Sequence, residues 1–167
     1  MRAVLQRVSR AEVRSGGDVL GRIGRGLVVL IGVGAADSMD SARLLAGKVM
    51  NLRILDDGKG KMNRSILECG GGILCVSQFT LYGDTRRGRR PSFVGAAPPL
   101  VAQPLYEKFL EELTALASPR NVAIQSGRFQ ATMEVELVND GPVTILLDTE
   151  QLRDSRFWTP ASEMTTG

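Results

Sequence analysis

The run Leu27-Val28-Val29-Leu30-Ile31 limits the fold more than any other segment of this chain. A strand with one wet face alternates apolar and polar residues, and this run does not alternate. Its β-branched content and short length argue against a helix, so residues 27–33 read as a strand buried on both faces. Gly32 and Gly34 then break it. A bilayer crossing needs about 20 apolar residues, so the run is far too short to span a membrane. Residues 73–79, beginning Ile73-Leu74-Cys75-Val76, read as a second buried strand.

The other segments fit around these two. Residues 3–8 read as a strand with Val4 and Val8 on one side. Glu12–Arg14 and Val19–Ile23 flank Ser15-Gly16-Gly17-Asp18, a hairpin signal. Asp37 or Ser38 caps a helix running to about Asn51, with Ala42, Leu45, Ala46 and Val49 at helical spacing. Asp56 to Gly60 is a turn. Ala96 to Pro99 introduces a second helix with Leu105, Phe109, Leu113 and Leu116 on one stripe; Pro104 either kinks it or sits in its first turn. Residues 123–125, 132–138 and 143–147 read as strands, with Asp140-Gly141-Pro142 as a tight turn between the last two. These elements predict an α+β domain: a barrel-like, curved, mainly antiparallel β-sheet with two helices packed outside it. The domain is expected over residues 1–149. Residues 150–167 form a C-terminal extension expected to be partly disordered, in which Phe157 and Trp158 can dock on the body.

Composition narrows the chemistry. The chain has 167 residues and a net charge of +3, with a pI of about 9.2. That permits contact with nucleic acid without demanding it. The opening Met1 to Arg7 lacks a hydrophobic signal core, which predicts a cytoplasmic protein. Cys69 and Cys75 read as reduced core thiols. There is no histidine, so a Ser-His-Asp or Cys-His triad is impossible, as is a histidine-ligated metal. No cofactor and no metal are expected.

Three segments can carry chemistry. Ser77-Gln78-Phe79-Thr80-Leu81 ends a buried strand with hydrogen-bonding side chains, and a strand end is a rigid platform for donors aimed into a cleft. Backbone N–H groups where the strand breaks can hold an oxyanion. In Asn139-Asp140-Gly141-Pro142-Val143-Thr144, an X-Pro bond in a tight turn is where a cis peptide is affordable. Arg86, Arg87, Arg89 and Arg90 make a local basic patch whose forked side chains match phosphate. Read singly, the first two segments are better explained as a polar strand end and a hairpin turn, and the third is as much a solvated loop as a phosphate site.

Together they resemble the D-aminoacyl-tRNA deacylases (the D-Tyr-tRNA deacylase family). Ser77–Leu81 resembles that family's SQxTL motif and Asn139–Thr144 its NxGPxT motif. Gln6-Arg7-Val8, Gly60-Lys61-Met62-Asn63, Arg90-Pro91-Ser92-Phe93 and Gly127-Arg128-Phe129 add to the likeness, which covers residues 1 to about 149. Pro104 and the tail after Glu150 depart from it. The resemblance implies a homodimer with active sites at the subunit interface, acting on the 3′ acceptor end of D-aminoacyl-tRNA by ester hydrolysis. One subunit would supply Ser77, Gln78, Phe79 and Thr80. The other would insert Gly141-Pro142 with a cis bond, held by Arg7, to exclude L-aminoacyl esters. Glycyl-tRNA, including glycine mischarged on tRNA(Ala), would also be cleaved. With no base for Thr80 in sight, Thr80 is expected to position rather than attack. The rival readings are an acyl-tRNA editing enzyme of different amino-acid specificity, a non-catalytic RNA-binding module and a ligand-free structural dimer.

Overall fold

The computed structural model describes residues 1–153 of this chain. Strand β1 (Arg2–Ser15) is continuous, where two strands, 3–8 and 12–14, are expected from sequence. It stays whole because both of its edges are paired. Along one edge lie β2 (Asp18–Ile23), against residues 11–15, and β3 (Gly26–Gly32), against residues 2–8. β2 and β3 are thus successive pieces of one broken strand. Along the other edge β8 (Glu134–Asp148) runs antiparallel from Arg14 back to Arg2.

The sheet continues from β3 to β6 (Gly71–Ser77) and on to β7 (Val122–Ser126), and both of these ladders are parallel. Parallel neighbours require crossover connections. The first contains α1 (Met39–Asn51), the small hairpin of β4 (Leu55–Asp56) and β5 (Met62–Arg64), and a short helix α2 (Ile66–Cys69). The second contains α3 (Pro99–Ala117). The mixed sheet curls until β2 approaches β6 and β7. Gly21 makes this possible: a Cβ there would lie 3.1 Å from Leu74 Cδ1 and 3.2 Å from Gln125 Cβ.

The curl creates two cores, and the strand pattern follows them. Leu27, Val29, Ile31, Ile73 and Cys75 point toward α1 and α3, while Val28, Leu74 and Val76 point into the barrel with Val8, Val13 and Ile23. β3 and β6 are therefore apolar on both faces, as the lack of alternation demands. Helix α3 buries Ala102, Leu105, Tyr106, Phe109, Leu113 and Ala117, whereas Leu116, expected on the buried stripe, is 37% exposed. Pro104 lies inside the helix rather than in its first turn. Ser38, not Asp37, is the N-cap of α1.

Asp37 serves a different purpose. Its carboxylate accepts the Gly34 N–H at 2.7 Å, and its other oxygen accepts the N-terminal ammonium of Met1. The same ammonium donates to Thr149 Oγ1, and the Thr149 N–H donates to the Met1 carbonyl at 2.9 Å. Thr149 opens a short helix α4 (Thr149–Arg153), so the first residues of the expected extension are ordered against the body. Phe157 and Trp158 lie outside the described residues. No helix among the described residues is long and apolar enough to cross a membrane.

Burial works against the Asp37 carboxylate, but the bonds from the ammonium and from Gly34 outweigh it and hold its pKa below the ordinary 3.8. A carboxyl depressed in the folded state stabilises above its unfolded pKa and loses that contribution as pH falls through the folded value. Asp37→Asn should therefore cost about 3 kcal/mol at neutral pH in urea unfolding, the scale of a broken buried ion pair. The gap to the unmodified protein should close below about pH 4 as Asp37 takes up a proton, and narrow again in alkali once the Met1 ammonium, whose pKa burial lowers from 8.0, loses its proton.

Candidate active site

Strand β6 ends at Ser77, opposite Ile31 of β3. The next residue leaves the ladder: the Gln78 N–H still donates to the Ile31 carbonyl at 2.6 Å, but the backbone then turns into a single 3-10 turn, Phe79–Tyr82. The turn is closed by Leu81 N–H to Gln78 O at 3.2 Å and by Gly83 N–H to Thr80 O at 2.9 Å. Phe79 is thus not a strand residue, as expected from sequence, but the first residue of a turn. It is 58% exposed, with its ring edge-on to Phe93 at 5.0 Å. The leading N–H groups of such a turn have no acceptor within it.

A cavity of about 750 Å³ opens at this strand end. That volume lies in the range of small-molecule sites. Ser77, Gln78 and Phe79 line the cavity, together with Phe93, Pro98, Tyr106 and Phe129. Thr80 is not part of this lining; it is exposed, and its hydroxyl accepts a hydrogen bond from the Gln78 side-chain amide. Tyr106 donates its hydroxyl to the Cys75 carbonyl at 3.2 Å, and burial raises its pKa, so it remains neutral. No carboxylate, amine or guanidinium of the described residues lines the cavity. Sequence reasoning does not single out Tyr106 or Ala102; a phenol within an otherwise apolar helical stripe is the signal that could have done so.

The Asn139–Thr144 segment is not the expected hairpin turn. Residues on both sides of it pair with the same strand, β1, so it is a projection from within β8. Between Val8↔Asn139 and Gln6↔Thr144, β1 advances two residues while β8 advances five. The surplus is pushed out of the sheet opposite Arg7. The motif's polar side chains fasten its base: the Val143 N–H donates to Asn139 Oδ1 at 2.9 Å, and Thr144 Oγ1 accepts from Asn139 at 3.2 Å and from Gln6 at 3.3 Å. Arg7 donates through Nε to the Asp140 carbonyl at 3.1 Å and through Nη1 to the Ile54 carbonyl at 2.9 Å. The Gly141-Pro142 peptide bond is cis. Both residues are exposed, and neither lines the cavity of its own chain.

The four arginines are not equivalent. Asp84 and Ser92 pair across the base of their loop. Arg86 grips Asp84 through Nε at 2.9 Å and Nη2 at 2.7 Å, and this bond lowers the Asp84 pKa to about 2. Arg87, Arg89 and Arg90 are exposed and have no ion-pair partner among the described residues.

Known proteins share this architecture. Residues 4–148 match the profile of the family described as D-Tyr-tRNA(Tyr) deacylase, and the chain belongs to that family. Its relatives include the D-aminoacyl-tRNA deacylase of Symbiobacterium thermophilum, 60% identical over 151 residues, covering 90% of this chain and 97% of that one. Another is that of Roseiflexus sp., 58% identical over 156 residues, covering 93% and 98%. A solved structure described as c-Myc DNA Unwinding Element Binding Protein superposes with a TM-score of 0.81 at 41% identity, covering 89% of this chain and 98% of its own. A probable eukaryotic D-amino acid tRNA deacylase superposes with a TM-score of 0.76 at 20% identity and so shares the fold.

The projection's shape depends on a bare glycine. Gly141 has φ +126°, and a Cβ there would meet Val143 Cγ2 at 2.7 Å and Arg7 Nη2 at 2.9 Å. Gly141→Ala should cost about 1–3 kcal/mol in chemical unfolding. Faster amide exchange should be confined to residues 139–144.

Proposed function

We infer that this chain hydrolyses the ester bond joining a D-amino acid to tRNA, and that the strand-end cavity is where the ester sits. The observation that carries this reading is a cavity walled by Ser77, Gln78 and Phe79 with no charged side chain in its lining, in a chain without histidine. Such a site offers shape and backbone dipoles rather than an acid–base pair. That suits an aminoacyl ester, an activated substrate whose neighbouring ribose 2′-hydroxyl can take part in proton transfer. Water attacks the carbonyl, and the N–H groups of Phe79 and Thr80 receive the oxyanion, the kind of fixed donor that stabilises developing charge. Thr80, bonded to Gln78, orients the ester and does not become acylated, because no neighbouring base activates its hydroxyl.

Handedness is judged by the Gly141-Pro142 projection of a second copy of the chain. In support, the projection is exposed and absent from its own chain's cavity, and Leu146 on the same strand is 78% exposed, which a partner subunit would cover. With ammonium and carbonyl fixed, an L side chain would run into the projecting backbone, whereas a D side chain points to open space. This is selectivity by clash. It predicts tolerance of many D-amino acids and cleavage of glycyl-tRNA, including glycine mischarged on tRNA(Ala). Arg87, Arg89 and Arg90 contact acceptor-stem phosphates.

Purified protein should release D-tyrosine and glycine from their tRNAs but leave L-Tyr-tRNA intact; binding without turnover of any of them would instead support an RNA-binding module. A substrate ending in 2′-deoxyadenosine should react orders of magnitude more slowly in a single turnover. Thr80→Ala should keep part of its rate, and isolation of an acyl-Thr80 species would refute the water mechanism. Replacing Arg87, Arg89 and Arg90 by Gln should flatten the salt dependence of tRNA binding, by roughly 0.9 in log–log slope for each duplex phosphate no longer neutralised.

A further inference from the structure

The turn that carries Thr80 is short, and a lone 3-10 turn has little stability of its own. It is anchored upstream by the Gln78 N–H on Ile31. Its downstream anchor is more elaborate and centres on Tyr82, two residues past Thr80. The Arg2 guanidinium lies over the Tyr82 ring, 4.5 Å from its centroid, donates to the Leu81 carbonyl at 3.3 Å and pairs with Asp148 at 3.0 Å. The Tyr82 hydroxyl donates to Asp37 at 3.2 Å, on the carboxylate oxygen that also accepts the Gly34 N–H. Two glycines make room for the ring. A Cβ on Gly34 would lie 2.6 Å from the Tyr82 hydroxyl oxygen, and one on Gly32 would lie 3.1 Å from the ring, from Leu81 Cβ and from the Gln78 carbonyl.

We infer that Tyr82 is a positioning residue for the reaction: seated in the Gly32–Gly34 slot and clamped by Arg2 and Asp37, it fixes where Phe79 and Thr80 sit at the cavity mouth. This rests on the reading that the Ser77–Thr80 segment is the reaction site. Phe79 and Thr80 are exposed and stand between the two anchors. Their N–H groups can serve an oxyanion only while both ends of the turn are held. Burial and the nearby Asp37 carboxylate both raise the Tyr82 pKa, so the hydroxyl remains a donor throughout the working pH range. The cation–π interaction with Arg2 reinforces the seat, as such pairs do even at partly exposed sites.

The test is steady-state kinetics on full-length protein with D-Tyr-tRNA, alongside thermal unfolding. Tyr82→Leu should lower kcat by tenfold or more, toward the order of 10²-fold that a displacement of about 1 Å costs a reacting group. KM should stay within about twofold, since the phosphate-binding loop is untouched. Tyr82→Phe keeps the ring in its slot and under Arg2, and should recover most of kcat. Gly34→Ala should evict the ring and lower kcat by a similar factor. Combining it with Tyr82→Leu should then be no worse than either change alone, because the clash has no target once the ring is gone. Val49→Ala, in the distant α1 core, serves as the stability control. The clamp is overturned if Tyr82→Leu keeps full kcat, if its loss merely matches that of Val49→Ala at equal change in melting temperature, or if the Gly34 and Tyr82 losses add. Ala131→Trp, which fills the cavity from a half-buried lining position, separates this from failure of the site itself. If Ala131→Trp is inactive while Tyr82→Leu keeps full kcat, only the clamp is wrong; if Ala131→Trp folds and is fully active, the site reading falls and takes the clamp with it.

Discussion

Pairing along both edges of β1 is the constraint on which the molecule depends. Its fourteen residues give hydrogen bonds to β2 and β3 on one side and to β8 on the other. With β1 at its centre, the sheet curls and brings β2 back toward β6 and β7, where Gly21 lets the strands meet. The same curl separates two cores, one beneath the helices and one inside the barrel. It also sets β3 and β6 side by side with nearly every residue buried. A strand held on both faces and both edges is a firm base, and the cavity opens where that base stops, at Ser77.

The two motifs then stand in different mechanical relations to the scaffold. Ser77–Leu81 is a strand end that turns, so its backbone points donors outward. Asn139–Thr144 is a strand interior that bulges, so its backbone is pushed away from the sheet. Asn139, Thr144 and Gln6 tie the base of the bulge, and Arg7 links it to the carbonyl of Ile54 beyond α1. The polar residues of that motif thus act on the chain's own backbone, which leaves Gly141 and Pro142 as the parts presented outward. The cavity likewise exposes backbone and neutral groups. Both segments rely on where main-chain atoms are held rather than on which side chains ionise.

What can be read from sequence divides along a physical line. Two-sided burial leaves a local trace, so β3 and β6 are legible from their unbroken apolar runs. Helix α1 is legible from its spacing, and the β1–β2 hairpin from Gly16-Gly17. The continuity of β1 through Ser9 and Arg10 is not, because it depends on a change of partner from β3 to β2, and partners are set by distant segments. The bulge at 140–143 reads as a hairpin turn for the same reason: Asp-Gly-Pro suits either, and only the shared partner β1 tells them apart. Phe79 reads as a strand residue because nothing local marks the step at Gln78. Of the candidate site, the SQxTL and NxGPxT residues are visible as motifs. Tyr82 and its glycine slot are not, since the slot is formed by two residues lacking side chains at a distant point of the chain.

That the Gly141-Pro142 element is a bulge has a consequence for how this chain can vary. Here the segment is flanked on both sides by residues already committed to β1, and strand side chains alternate between faces. An added or lost residue must therefore either change the projection itself, moving Gly141 and Pro142 over their base, or shift 144–148 and with it Leu147 and the bond between Arg2 and Asp148 that lies beside Tyr82. Length and the residues that shape it, Asn139, Gly141 and Thr144, are thus held together, and a change in either displaces what the segment presents outward.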